Sequence, residues 1–127
     1  IFASRLLNHR APLIYEDGNQ MRDFVSVQDI AAACRLAMLA PEAPGQVFNI
    51  GNGEEISIRG LAEKIKAMTG SASEIVTIPY DQAYEAGFED MPRRVPDITK
   101  INALVGYRPT VDLDEILVKV IEFFRTQ

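Results

Sequence analysis

Eighteen acidic and 13 basic side chains give this chain of 127 residues a net charge of −5, and 47% of its residues are hydrophobic. That composition belongs to one folded domain with its own core; it excludes a disordered segment, a disulfide scaffold (Cys34 is alone) and a Cys/His zinc site, for which Cys34 and His9 are too few. The acidic balance argues against a nucleic-acid partner, and no apolar run nears the ~20 residues that span a membrane.

Ile1, Phe2, Leu6 and Leu7 read as the end of a helix already under way, so the chain is expected to be a piece of something longer. No signal peptide is expected, and a cytoplasmic location is the expectation. Leu13–Tyr15 reads as a strand and residues 24–27 as a second. Between them, Asp17, Gly18 and Asn19 supply turn chemistry, and the pair is expected to form a hairpin.

A helix should follow over residues 28–39, with Ser26 as its N-cap, Asp29 in its first turn and an inward stripe of Ile30, Cys34, Ala37 and Met38. Residues 46–50 read as a short strand stopped by Gly51-Asn52-Gly53. An amphipathic helix over Ile58–Thr69 carries Ile58, Leu61, Ile65 and Met68 on one face, with Ser57 as cap and Gly70 at its end. Residues 74–78 are β-rich, and 79–96 lose all periodicity, the mark of a functional loop. Asp97 should cap a short helix ending at Gly106. Asp112 and Glu115 open a last helix with Leu113, Ile116, Leu117, Val120, Ile121 and Phe124 at helical spacing. The expected class is mixed α/β, with short strands and about five helices.

The chain lacks the pieces of a self-sufficient catalyst. No tyrosine is followed four residues on by a lysine, and Gly51-x-Gly53 lacks the third glycine of a dinucleotide fingerprint. His9, beside Arg5 and Arg10, reads as part of a solvated basic face. Cys34, on the apolar stripe, reads as a buried structural thiol. What remains is binding chemistry. Arg22 stands just after a turn, and Arg93 and Arg94 close the irregular stretch. Guanidinium forks from two loops could clamp a diphosphate. The alternative is that Arg22 pairs with Asp23 or Asp29 and that Arg93 and Arg94 are solvated. Asn49, before Gly51, fits either turn formation or a ligand contact.

Three stretches, in order, resemble the extended short-chain dehydrogenase/reductase family, the NAD-dependent nucleotide-sugar epimerases and dehydratases. They are IYEDGNQMRDFVSVQDI from Ile14, VFNIGNG from Val47, and RRVPDITK from Arg93 with the following Val105-Gly-Tyr-Arg-Pro. Ser26 departs from the pattern, which often has an aromatic there. The resemblance covers nearly the whole chain and implies the C-terminal, substrate-binding portion of an extended Rossmann-type enzyme, residues 1–127 forming a single domain.

The NAD-binding Rossmann half, with its glycine loop and Tyr-x-x-x-Lys pair, would lie outside this chain. In such enzymes NAD takes a hydride from the sugar and the protein supplies orientation. By resemblance, Arg22 and Arg94 would contact the nucleotide diphosphate, Arg93 would be a weaker contact, Asn49 and Gly51 would shape the wall of the site, and Asp29 would cap its helix. A UDP-sugar 4-epimerase is the expected parent, the alternative being a non-catalytic nucleotide-binding or interaction module. The expected partners are a nucleotide-diphosphate sugar and the N-terminal half, with a homodimeric parent. No catalytic residue, metal or bound NAD is expected in this chain alone, and it is expected to be inactive.

Overall fold

The computed structural model describes residues 1–85 and 88–126, so Ala86 and Gly87 of the irregular stretch lie outside the described residues. The elements run α1 (Phe2–Leu7), β1 (Leu13–Tyr15), β2 (Met21–Asp23), α2 (Val27–Leu39), β3 (Glu55–Ser57), α3 (Ile58–Thr69), β4 (Val76–Ile78), α4 (Tyr80–Ala83), β5 (Arg93–Arg94), α5 (Thr99–Val105) and α6 (Leu113–Arg125). The chain is mixed α/β, as its patterning implies. No described helix is long and apolar enough to cross a membrane.

These elements cluster in two compact units. The first comprises Ile1–Arg22, Ile56–Arg93 and Leu117–Gln127, the second Asp23–Glu55 and Arg94–Ile116. In the first, α1 packs on α3 and the core gathers Leu6, Ile14, Leu61, Ala62, Ile65, Leu117 and Ile121. On α3 Leu61 and Ile65 of the expected stripe are buried and Ile58 and Met68 half-buried, Ser57 accepts from the Gly60 amide at 3.0 Å, and Gly70 ends the helix in the left-handed conformation.

The expected hairpin does not form. β1 instead pairs in parallel with β4, Leu13 opposite Val76 and Tyr15 opposite Ile78, while β2 is the middle strand of a separate sheet of order β3-β2-β5. The turn residues do make their turn: Gly18 has φ +73°, and Asp17 accepts from the Asn19 amide. But the carbonyls of Gly18 and Gln20 are taken by the amides of Arg59 and Ile58. The segment therefore satisfies otherwise orphaned donors at the start of α3 rather than closing a hairpin.

The second unit centres on Ala33, Ile101 and Tyr107, with Leu36, Phe48, Ile50, Ile98 and Val105 packed around them. Ser26 caps α2 as expected, and Asp29 lies in its first turn. It is buried and accepts from the amides of Thr110 and Val111 and from the Thr110 hydroxyl.

The inward face of α2 is therefore Asp29 and Ala33, not the stripe through Cys34 and Met38. Cys34 is exposed and Met38 is 86% exposed. A helix apolar around most of its circumference gives periodicity no face to select, and hydrogen bonds chose it. Residues 46–50 keep the alternation of a strand, with Phe48 and Ile50 half-buried and Val47 and Asn49 exposed, yet among the described residues no strand pairs with them. α5 begins one residue later than expected, Asp97 accepting from the Thr99 amide at 2.9 Å. Asp112 accepts from the Glu115 amide at the start of α6.

Candidate functional site

Arg22 lies in the middle of β2, where strand alternation turns its side chain inward, and it is 8% exposed. Its partner is neither Asp23 nor Asp29. Nη2 meets Oδ1 of Asp90 at 2.6 Å, and Nη1 donates to the carbonyls of Met91 at 2.9 Å and Met21 at 2.8 Å. Asp90 in turn accepts at Oδ2 from the Tyr80 hydroxyl at 3.3 Å, and that hydroxyl accepts from Nε2 of Gln20.

Partial burial raises the Tyr80 pKa above its ordinary 10.0, and the charges of Asp90 and Glu16 add to the rise, so the hydroxyl keeps its proton at neutral pH. Tyr80, Tyr84 and Phe88 form a ring cluster with Tyr15, the Tyr84 and Phe88 rings stacked at 4.0 Å between centroids. An open cleft beside them is lined by Glu16, Asp17, Asn19, Gln20, Tyr80, Asp90 and Pro92. Three carboxylates and no cation make that cleft a poor seat for a diphosphate.

β5 runs beside β2, so Arg22 and Arg93 come from neighbouring strands. Arg93 and Arg94 are both exposed, Arg94 being the next residue along β5 and a member of the second unit. Arg22 is thus buried and oriented by protein groups, while Arg93 and Arg94 lie at the surface.

Asn49 is exposed in the second unit, and the turn after it is locked from inside. Asp23 accepts from the amides of Asn52 and Gly53, the latter at 2.8 Å, and the Gly51 carbonyl accepts from Tyr107. A Cβ at Gly51 would lie 2.2 Å from Cγ of Pro96 and 2.6 Å from Oδ2 of Asp23, so glycine is required there by close approach. With its amides closed on a carboxylate, this Gly-x-Gly turn cannot cradle the phosphates of a dinucleotide. Among the described residues no cluster of three or more His, Cys, Asp or Glu could hold a metal ion. His9 is exposed, as its basic neighbours suggest.

Sequence reasoning singled out the arginines as candidates but missed Asp90, Tyr80 and Gln20 as the groups around Arg22. Asp90 lies 68 positions away in a stretch without periodicity, and no local spacing could point to it.

A family model for GDP-mannose 4,6-dehydratase matches residues 2–120. The chain is 37% identical to a UDP-N-acetyl-alpha-D-glucosaminuronate decarboxylase of Bacillus cytotoxicus, over 89% of this chain and 35% of that protein. It is 34% identical to a UDP-glucose 4-epimerase of Mycolicibacterium smegmatis, over 100% of this chain and 38% of that one. Among solved structures, UDP-glucose 4-epimerase of Thermotoga maritima with UDP-glucose superposes with a TM-score of 0.86 and 34% identity, covering 98% of this chain and 38% of that one. The chain thus spans little more than a third of the length of these relatives.

Proposed function

The chain belongs to the GDP-mannose 4,6-dehydratase family of NAD-dependent extended short-chain dehydrogenase/reductases, whose members work on nucleotide sugars, and from that premise we propose that it is the nucleotide-sugar-binding part of a UDP-sugar 4-epimerase. The observation that carries this reading is the likeness, along nearly the whole chain, to an epimerase solved with UDP-glucose. Arg22 and Arg94 are its diphosphate contacts, Arg93 a weaker one, and Asn49 with Gly51 a part of the wall. Each arginine supplies charge-assisted hydrogen bonds and none does chemistry. Such remote binding energy holds a sugar in register with a reacting centre elsewhere.

NAD would be the cofactor of the parent enzyme. The residues present here do not fit it, because the amides of the one Gly-x-Gly turn are occupied by Asp23. Cofactor binding and catalysis are therefore assigned to an N-terminal half, and this chain alone is assigned neither. Val27, Met38, Leu39 and Val47, all in the second unit, are between 69% and 86% exposed, which supports a covering segment in the parent.

The test is to give the full-length gene product UDP-glucose and UDP-galactose and follow their interconversion. A second assay follows carbon dioxide release from UDP-N-acetyl-alpha-D-glucosaminuronate, because one of the relatives is a decarboxylase of that sugar nucleotide. Interconversion supports the epimerase. Carbon dioxide release moves the protein to the decarboxylases. UDP binding with neither reaction leaves a non-catalytic nucleotide-binding module, and no UDP binding at all sinks the proposal.

A further inference from the structure

The surroundings of Arg22 contain more than a diphosphate contact needs. Three of its five guanidinium N–H donors are committed within the protein, to Met21, Met91 and Asp90. Among the described residues the other two, one on Nε and one on Nη2, have no protein partner. The Asp90 carboxylate is itself held, by the Tyr80 hydroxyl, and Tyr80 by Gln20, whose amide also reaches the Tyr15 carbonyl. Met21, the neighbour of Arg22, bonds through its amide to the Pro92 carbonyl, so the backbone around Asp90 is fixed against the same strand. All of these residues belong to the first unit.

We propose that Asp90 is a positioning residue for the diphosphate site: its carboxylate fixes the Arg22 guanidinium so that the two remaining donors are already aimed when a nucleoside diphosphate arrives. This rests on the assignment of Arg22 to the diphosphate. A free arginine side chain loses much rotamer freedom on binding, and one already held loses little. Asp90 also carries a negative charge, which opposes the phosphates. The two effects have opposite signs. The carboxylate lies in direct contact with a buried guanidinium whose charge would otherwise be unpaired, so orientation outweighs repulsion. Tyr80 serves Asp90 by keeping its second oxygen occupied.

The test measures UDP affinity by calorimetry in the full-length protein. The variants are Arg22→Ala, Asp90→Ala, Asp90→Asn, Tyr80→Phe, and each Asp90 and Tyr80 change combined with Arg22→Ala. Asp90→Ala should weaken UDP binding about 5-fold or more. Asp90→Asn, which keeps an acceptor for Nη2, should recover most of that loss, and Tyr80→Phe should weaken binding about 2-fold. None of these changes should matter once Arg22 is alanine, because effects transmitted through one residue vanish with it.

A loss at Asp90→Ala that persists in the Arg22→Ala background would overturn positioning in favour of a purely structural role. Unchanged or tighter binding on Asp90→Ala would overturn it too, the latter making Asp90 a competitor for Arg22. If Arg22→Ala itself leaves UDP affinity intact, the diphosphate assignment fails and this inference with it. If Arg22→Ala weakens binding while Asp90→Ala does not, only the inference fails. Tyr80→Phe removes a single hydroxyl and keeps the question answerable should Asp90→Ala not fold.

Discussion

The Tyr107 hydroxyl donates to the Gly51 carbonyl at 3.0 Å, tying the start of the loop after α5 to the turn 56 positions earlier. Tyr107 is 1% exposed, so both groups of this bond are out of water. Tyr107→Phe leaves a buried carbonyl unpaired, and we expect a loss of about 1–2 kcal/mol. Burial raises the Tyr107 pKa above its ordinary 10.0, with the Asp29 and Asp23 charges adding to the rise. The folded state therefore favours the protonated phenol. Its contribution is fully present below pH 10.0 and is lost as pH climbs from there through the folded-state value. Urea midpoints measured from pH 8 to 11 should fall more steeply above pH 10 in the wild type than in Tyr107→Phe; parallel curves would refute the linkage.

Gly51 supports a second expectation from the same turn. An alanine methyl there would sit 2.2 Å from the Pro96 ring and 2.6 Å from the Asp23 carboxylate. Neither neighbour is the far end of a flexible chain, since Asp23 is fixed by the Asn52 and Gly53 amides. We expect Gly51→Ala to cost about 2–3 kcal/mol through overpacking and the displaced carboxylate. Thermal unfolding of the variant decides it: a midpoint within a degree of the wild type would mean that the turn shifts freely.

The contrast between what patterning revealed and what it hid has a physical basis here. α3 and α6 were legible as helices because each has apolar residues at helical spacing and a capping side chain at the expected place, Ser57 and Asp112, although in α6 only Leu117 and Ile121 are buried and Val120 and Phe124 are exposed. The left-handed residues Gly70 and Gly106 marked helix ends for the same local reason. α2 was found as a helix, but its face was not, since Ile30, Ala33, Ala37 and Met38 offer apolar atoms on several sides. What selects the face is Asp29 reaching Thr110 and Val111, a contact across 81 positions.

Strand pairing was hidden in the same way. Residues 13–15 read as a strand, yet nothing local says that the partner is Val76–Ile78 rather than the nearer residues 24–27. At the candidate site, residue type pointed to Arg22, Arg93 and Arg94. The partner of Arg22 was invisible because ion pairs carry no sequence period.

Asp29 itself is the next test. Its two carboxylate oxygens accept from the Thr110 amide, the Thr110 hydroxyl and the Val111 amide, and the residue is 3% exposed. Removing it leaves the buried Val111 amide and the two partly buried Thr110 donors without this acceptor, and we expect Asp29→Ala to cost about 3 kcal/mol. Thr110→Val removes only the hydroxyl and should cost about 1 kcal/mol. Equal effects from the two substitutions, measured by chemical denaturation, would show that the backbone amides contribute nothing through Asp29.

Arg94, Arg93 and Asn49 test the proposed ligand site separately from the core, because all three are exposed. A substitution at an exposed arginine away from the core should change stability by no more than about 0.5 kcal/mol. Any loss of UDP affinity then reports a lost ligand contact rather than a damaged fold. In the full-length protein we expect Arg94→Ala to weaken UDP binding by about 1.5–3 kcal/mol, the range for a hydrogen bond to a charged group. Arg93→Ala should cost less, since it stands one place off the matched position, and Asn49→Ala least, since it shapes a wall. The contact is ionic, so the Arg94 loss should shrink as salt is raised from 50 to 500 mM, on the order of the change in Debye length from about 14 to 4 Å. An Arg94→Ala protein that binds UDP like the wild type at low salt would remove Arg94 from the site and leave Arg22 to be judged on its own.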